Sequence, residues 1–155
     1  MNKPEAVVFD VDSTLADTTH RKGLILQGSQ REDTDWEAYA KACTNDTPTA
    51  AVPLLNLLAP FYKIILLTSR PEGARAETNE WLNRHLIYDR LVMDNGSCLG
   101  TVGYKLAGLR ALQREYNIKL LLEDSWNIRT AVEKELGIPT LVVRAYAPQV
   151  LELRY

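Results

Sequence analysis

Cysteine is scarce in these 155 residues: there are two, Cys43 and Cys98, with neither CxxC spacing nor enough partners for a disulfide framework. Both read as small buried or half-buried side chains and not as reactive thiols. Long apolar runs are absent as well. Nothing approaches the roughly 20 residues that span a bilayer, and MNKPEAVVFD holds no stretch suited to a signal peptide. The expectation is a reduced, cytoplasmic protein without a membrane partner. Excess charge is also lacking, since 18 basic and 20 acidic residues give a net charge of -2. That excludes a broad basic field for a polyanion, so any nucleic-acid contact must be local. The glycines of NGSCLGTVGYK miss the GxxxxGK[ST] spacing, which excludes a P-loop and leaves a flexible loop. No repeat, low-complexity tract or linker interrupts the chain.

What remains is an ordinary globular composition, 46% hydrophobic and 25% charged, in a length that suits one domain over 1–155. Five short apolar runs recur: AVVFD (6–10), KIILLTS (63–69), RLVMD (90–94), KLLLED (119–124) and TLVVRAY (140–146). They are continuous and not alternating, so they read as strands buried on both faces, the mark of a parallel sheet covered by helices. Helical punctuation fills the gaps. Thr34 and Glu37 form a capping box before WEAYAKAC, Pro53 suits a first turn, Pro71 opens a helix to about Leu86, and VGYKLAGLRALQREY has helical spacing. Gly137 and Pro139 close the helix of SWNIRTAVEKEL. The fold class is therefore α/β, with its least regular segments at 18–34 and 95–103.

Open α/β sheets bind ligands beyond the carboxyl ends of their strands, and Asp10, Thr68, Asp94 and Asp124 all fall at such ends. The stretch VVFDVDSTLAD ends a hydrophobic strand in two acids one residue apart. An unpaired buried carboxylate costs several kcal/mol. Asp10, Asp12 and Asp124 on one rim call for a cation, and all-oxygen ligation is the preference of Mg²⁺. A hydroxyl at Thr68, the ammonium of Lys105 and the guanidinium of Arg70 complete a set suited to phosphoryl transfer, which depends on alignment and on neutralising the equatorial oxygens. An aspartate beside the metal can itself attack phosphorus.

These residues resemble the haloacid dehalogenase (HAD) superfamily of phosphohydrolases. Its DxDxT motif stands as DVDST, its strand ending in Ser or Thr as IILLT, its lysine as Lys105 and its acidic pair as LLLEDS. The resemblance implies a three-layer, Rossmann-like sheet of five parallel strands with helices on both faces and a minimal cap insertion at 17–49. It implies Asp10 as nucleophile and Asp12 as general acid and base, with Lys105 completing the catalytic set. Mg²⁺ would be held by Asp10, the Asp12 backbone carbonyl and Asp124, and the transferred phosphoryl group by Thr68 and Lys105, with Ser69 also binding phosphate. Within the superfamily, the chain is most similar to the 3'-phosphatase domain of polynucleotide kinase/phosphatase enzymes and their stand-alone phage and bacterial relatives. DVDSTLADTTHR places Arg21, and LLTSRPEGARAETNEWL places Arg70, where that family carries functional arginines. Three departures stand out: Ser13 where Gly is usual, Thr101 where an acid would orient Lys105, and Glu123 for the commoner Asp.

The function implied is a Mg²⁺-dependent phosphomonoesterase working through an aspartyl-phosphate on nucleotide or nucleic-acid-end phosphates, 3'-phosphate termini first. The alternatives are a small-molecule (deoxy)nucleotide phosphatase and a non-catalytic phosphate-binding protein of the same fold. No stable protein partner is expected, and homo-oligomerisation stays open. Arg21 and Arg70 would grip a second phosphate or the leaving group. Asn127 would hydrogen-bond a metal ligand or face solvent, and His20 reads as a bystander. Trp36 and Tyr39 would anchor their helix on the sheet or, alternatively, stack a base.

Overall fold

Side-chain alternation in the first strand sets the layering. In β1 (Glu5–Phe9), Val7 and Phe9 belong to one apolar cluster while Ala6 and Val8 belong to another. The computed structural model describes residues 2–143. After β1 come β2 (Ala16–Asp17), α1 (Trp36–Lys41), β3 (Thr47–Pro48), α2 (Ala51–Leu58), β4 (Lys63–Pro71) and α3 (Arg75–His85). Then follow β5 (Arg90–Asp94), α4 (Gly100–Glu115), β6 (Asn117–Leu122), α5 (Trp126–Leu136) and β7 (Thr140–Leu141). Leu55 of α2 and Trp81 and Leu82 of α3 pack with Val7 and Phe9 on one face. Leu109 and Leu112 of α4 and Ile128 and Val132 of α5 pack with Ala6 and Val8 on the other. A sheet apolar on both sides is stable only under two such layers, which is what the unbroken apolar runs require.

The main sheet runs β5-β4-β1-β6-β7, with every pairing parallel. The chain builds outward from β1 through β4 to β5, then crosses back to β6 and β7. Strand order reverses at β1, and the crevice that opens there is where such folds bind ligands. Register brings Phe9 beside both Leu66 and Leu122, and Asp10 N donates to Leu122 O at 2.9 Å, so Asp10 sits at the mouth of that crevice.

Segment 17–49 is an excursion closed at its base. β2 and β3 pair antiparallel, Thr49 N donates to Leu15 O at 2.9 Å, and the Thr49 hydroxyl donates to Thr14 O. Between them lie two 3-10 turns, Thr19–Leu24 and Gly28–Asp33, then α1 and a third 3-10 turn, Ala42–Asn45. The helix cap differs from expectation. Asp35, not Thr34, is the N-cap and accepts from Ala38 N at 2.9 Å, while Thr34 Oγ1 is taken by Leu26 N. Either side chain serves as a cap chemically, and the loop folding back onto Thr34 decides between them. β6 begins two residues before the expected run, which leaves Glu123 and Asp124 just past its end. β7 stops at Leu141, and the rest of its expected span from 144 onward lies outside the described residues. Cys43 is buried, but Cys98 is exposed, contrary to the sequence reading. No described helix is long and apolar enough to cross a membrane.

Candidate active site

α4 carries Lys105 inward on the same side as the apolar Leu106 and Leu109, and the side chain is 1% exposed. A buried ammonium needs three acceptors. Its Nζ donates to Asp10 Oδ1 at 2.5 Å, to Leu67 O at 2.7 Å and to Glu123 Oε2 at 3.0 Å. Three strand ends thus converge on one lysine. The partner that seemed lost with Thr101 is supplied by Glu123, whose second oxygen accepts from Ser125 N at 3.1 Å.

Asp10, Glu123 and Asp124 each offer an oxygen, and these atoms lie within 4.8 Å of one another. Three carboxylates against one ammonium leave two negative charges uncompensated. The consequence is an upward shift in all three acids. Burial and the Glu123 carboxylate push Asp10 up to about 7 against the opposing pull of Lys105. Burial raises Glu123, and partial loss of solvent, with Asp10 adjacent, raises Asp124. Lys105 shifts upward as well, because Asp10 and Glu123 outweigh the burial that opposes its charge. An oxygen-only set with a surplus of two negative charges fits a hard divalent cation. The cluster holds Glu123 where the sequence reading set Asp12 beside Asp10 and Asp124.

The Asp12 carboxylate is engaged elsewhere. Arg70 Nη2 donates to Asp12 Oδ1 at 2.5 Å and Arg21 Nη2 to the same oxygen at 2.6 Å. Both guanidiniums also reach Asp46, Arg21 through Nε at 2.8 Å and Nη2 at 2.7 Å, Arg70 through Nη2 at 3.3 Å. Burial alone would raise the Asp12 carboxyl, but Arg70 and then Arg21 outweigh it and hold it at about 2. Two arginines and two aspartates close a charge-balanced square, buried except at the half-buried Asp12. Arg21 and Arg70 are therefore nearly fully buried, not solvated rim residues. Arg21 also lies 4.2 Å over the Tyr39 ring and donates to Tyr39 O, so α1 is tied to the same square. His20, read as a bystander, contacts Asp46 Oδ1 at 2.7 Å.

Thr68 is buried, and its hydroxyl oxygen accepts from Arg70 N at 3.2 Å, which leaves its own O–H to donate. Thr68, Ser69, Asp10, Asp12, Lys105, Glu123 and Asp124 all line one cavity of about 310 Å³, with Asn127 at its edge. Ser13 has φ 64°, the left-handed backbone for which glycine is usual, at about 1 kcal/mol of strain. Tyr39 packs inward as expected, but Trp36 is 41% exposed and does not anchor the helix.

The structure therefore brings Asp10, Thr68, Ser69, Lys105 and Asp124 into one cavity, and joins Asp12, Arg21 and Arg70 in an adjoining network. Sequence reasoning missed Asp46. An aspartate in the loop TNDTP carries no local signal, and it becomes central only because Trp81 Nε1 donates to its carbonyl at 2.7 Å and the arginines close on its carboxylate. Glu123 had a signal, since it forms an acidic pair with Asp124 at a strand end.

Comparison with known proteins agrees with this geometry. Residues 1–134 match the family model described as HAD superfamily, subfamily IIIB (acid phosphatase). None of the curated proteins matches the chain. Among solved structures, the chain is similar to one in the Pnkp1/Rnl/Hen1 RNA repair complex, with 24% identity, a TM-score of 0.74, 91% of this chain covered and 42% of that one. A second structure of the Pnkp1/Rnl/Hen1 complex gives 25% identity and a TM-score of 0.74, with 91% and 46% covered. The chain thus spans less than half the length of either. The class C acid phosphatase from Bacillus anthracis with tungstate bound gives 12% identity and a TM-score of 0.64, covering 94% of this chain and 68% of that one. With the family model covering most of its length and the motif residues meeting at the switch point of the sheet, the chain belongs to the HAD superfamily, subfamily IIIB (acid phosphatase).

Proposed function

We propose that this phosphatase is Mg²⁺-dependent, works through an aspartyl-phosphate on Asp10, and acts on nucleotide or nucleic-acid-end phosphates, 3'-phosphate termini first. The observation that carries the chemistry is the surplus of two negative charges among Asp10, Glu123, Asp124 and Lys105, at the point where strand order reverses. Asp10 and Asp124 would hold the ion, with Glu123 beside them and the Asp12 backbone carbonyl as a further oxygen. When bound, Mg²⁺ would neutralise the excess charge and polarise a phosphoryl oxygen.

The chain's own groups do the rest. Asp10 carries one oxygen bonded to Lys105, which fixes the carboxylate while its other oxygen attacks phosphorus in line. The ester P–O bond breaks, and the leaving oxygen takes a proton from Asp12. In the second half Asp12 takes a proton from water, which attacks the phosphoryl group and frees Asp10 and inorganic phosphate. Thr68 and Ser69 donate to the equatorial oxygens, and Lys105 neutralises them. With two guanidiniums on it, Asp12 is ionised and so set for the second half. For the first half it must carry a proton, which requires Arg21 and Arg70 to loosen their hold as they meet the incoming substrate.

Segment 17–49 serves as a minimal cap within a single 1–155 domain, and its small size keeps the cleft open to a bulky or polymeric leaving group. The motif resemblance to polynucleotide 3'-phosphatases, together with the 25% identity to a chain of the Pnkp1/Rnl/Hen1 complex, supports a nucleic-acid end as substrate. The test is phosphate release by the purified chain with and without Mg²⁺. Asp10→Asn should fold normally and lose all turnover, and substantial release by that variant removes Asp10 as nucleophile. A 3'-phosphorylated oligonucleotide should be preferred to mononucleotides, and the reverse preference replaces the end-processing reading with a nucleotidase.

A further inference from the structure

The Asp46 carboxylate, buried at the back of the arginine network, receives four donors. His20 Nε2 at 2.7 Å and Arg21 Nε at 2.8 Å share Oδ1, while Arg21 Nη2 at 2.7 Å and Arg70 Nη2 at 3.3 Å share Oδ2. An ionised carboxylate only accepts, so His20 donates from Nε2 whether its ring is neutral or charged. The Asp46 side chain is fully buried, whereas that of His20 is 41% exposed. His20 does not line the phosphate cavity. The network therefore runs from solvent at His20, through Asp46 and the two guanidiniums, to Asp12 in the cavity wall.

Two arginines and two aspartates balance, so a proton taken up at His20 Nδ1 leaves the network one charge positive. It also strengthens the bond from Nε2, because a charged donor binds a carboxylate more tightly. Oδ1 is then held more by the imidazolium and less by Arg21, whose guanidinium turns toward Asp12. Resting on the reading of Asp12 as general acid, we propose that His20 is a positioning residue. It sets, through Asp46, how readily Asp12 takes the proton owed to the leaving oxygen. A neutral ring lets Asp46 hold the arginines while Asp12 is protonated. A charged ring keeps Asp12 ionised and slows the first half-reaction. The charged groups around the ring are Asp46 in contact, Asp17 of β2 within electrostatic reach, and Arg21 and Lys22 of the same turn. Asp17 is occupied by Thr19, so Asp46 carries the effect.

The test separates the steps by leaving group. p-Nitrophenolate departs without a proton, whereas the alkoxide of glycerol phosphate needs the one that Asp12 supplies. With Mg²⁺ present, kcat/KM for both esters is compared in the wild type, in His20→Gln, which keeps a donor and cannot charge, and in His20→Lys, which is charged throughout. His20→Lys should lower the glycerol phosphate value about 5–10-fold, the lower range of coupling between linked sites, and leave p-nitrophenyl phosphate within about twofold. Relative to His20→Gln, the wild-type value for glycerol phosphate should fall as pH is lowered through the His20 titration. Titration of Asp10 acts on both esters and cancels in that comparison. The chain has two histidines, so the imidazole NMR signal missing from His20→Gln reports the His20 titration directly. Equal losses on both esters in His20→Lys, or a kinetic midpoint away from that of the NMR signal, overturn the proposal. Asp12→Asn should cost glycerol phosphate far more than p-nitrophenyl phosphate. An equal cost there overturns the general-acid reading itself, while a selective cost with no effect of either His20 variant overturns the role of His20 alone.

Discussion

Lys105 and Glu123 show how a single residue can serve fold and chemistry with opposite signs. Glu123 gives the buried ammonium one of its three acceptors, yet it adds the charge that leaves the cluster two units negative. Replacing it with Gln keeps the shape and an acceptor while removing one charge. Ion-free Glu123→Gln should therefore melt higher than the ion-free wild type, since less repulsion is stored among the acids. Its Mg²⁺ affinity should fall by about 10–100-fold, the usual effect of altering a group that supports metal ligands. Calorimetric melting in EDTA and a Mg²⁺ titration measure the two effects. A lower ion-free melting point would mean that Lys105 needs the carboxylate more than the site suffers from it.

At the level of elements, the helices were legible where backbone chemistry marks their ends and illegible where loops compete. α5 ends at Gly137, whose φ of 64° is the left-handed turn that releases the chain toward β7. Open space surrounds the position a Cβ would take, so Gly137→Ala should cost only the backbone term, about 1 kcal/mol in urea unfolding, with phosphatase activity unchanged. A loss of several kcal/mol would show a steric role as well. At α1 the capping-box pattern pointed one residue too early, because Thr34 is recruited by Leu26 N from the preceding loop. The strands were legible almost throughout, since runs such as VVF and IILLT have no stable place except between two helical layers.

Across the whole molecule, the acidic cluster couples folding to pH and, on the proposed reading, to the ion. Asp10 titrates near 3.8 when unfolded and is pushed up to about 7 in the folded protein. Between those values the folded state holds a proton that the unfolded chain has released, so ion-free stability falls as pH rises through that window. Binding of the proposed cation would require the ionised form and would cancel the penalty. The melting-temperature gain from Mg²⁺ over EDTA should accordingly be larger at pH 8 than at pH 5. Equal gains at both would disconnect the cluster from the ion.

Taken alone, the amino-acid sequence determined the layered α/β class, the five strands of the main sheet and the strand ends that carry Asp10, Thr68 and Asp124, because unbroken apolar runs and the polar residues that end them are local properties, whereas Lys105 was singled out only by its place in the motif series. The sharing of one ammonium by Asp10 and Glu123, the closing of Arg21 and Arg70 on Asp46, and the seating of His20 on that same carboxylate were decided only by the tertiary structure. Those contacts join residues up to 95 positions apart. Their partners are selected by which side chains the packed sheet and the 17–49 excursion bring together, and no spacing within a single segment encodes that.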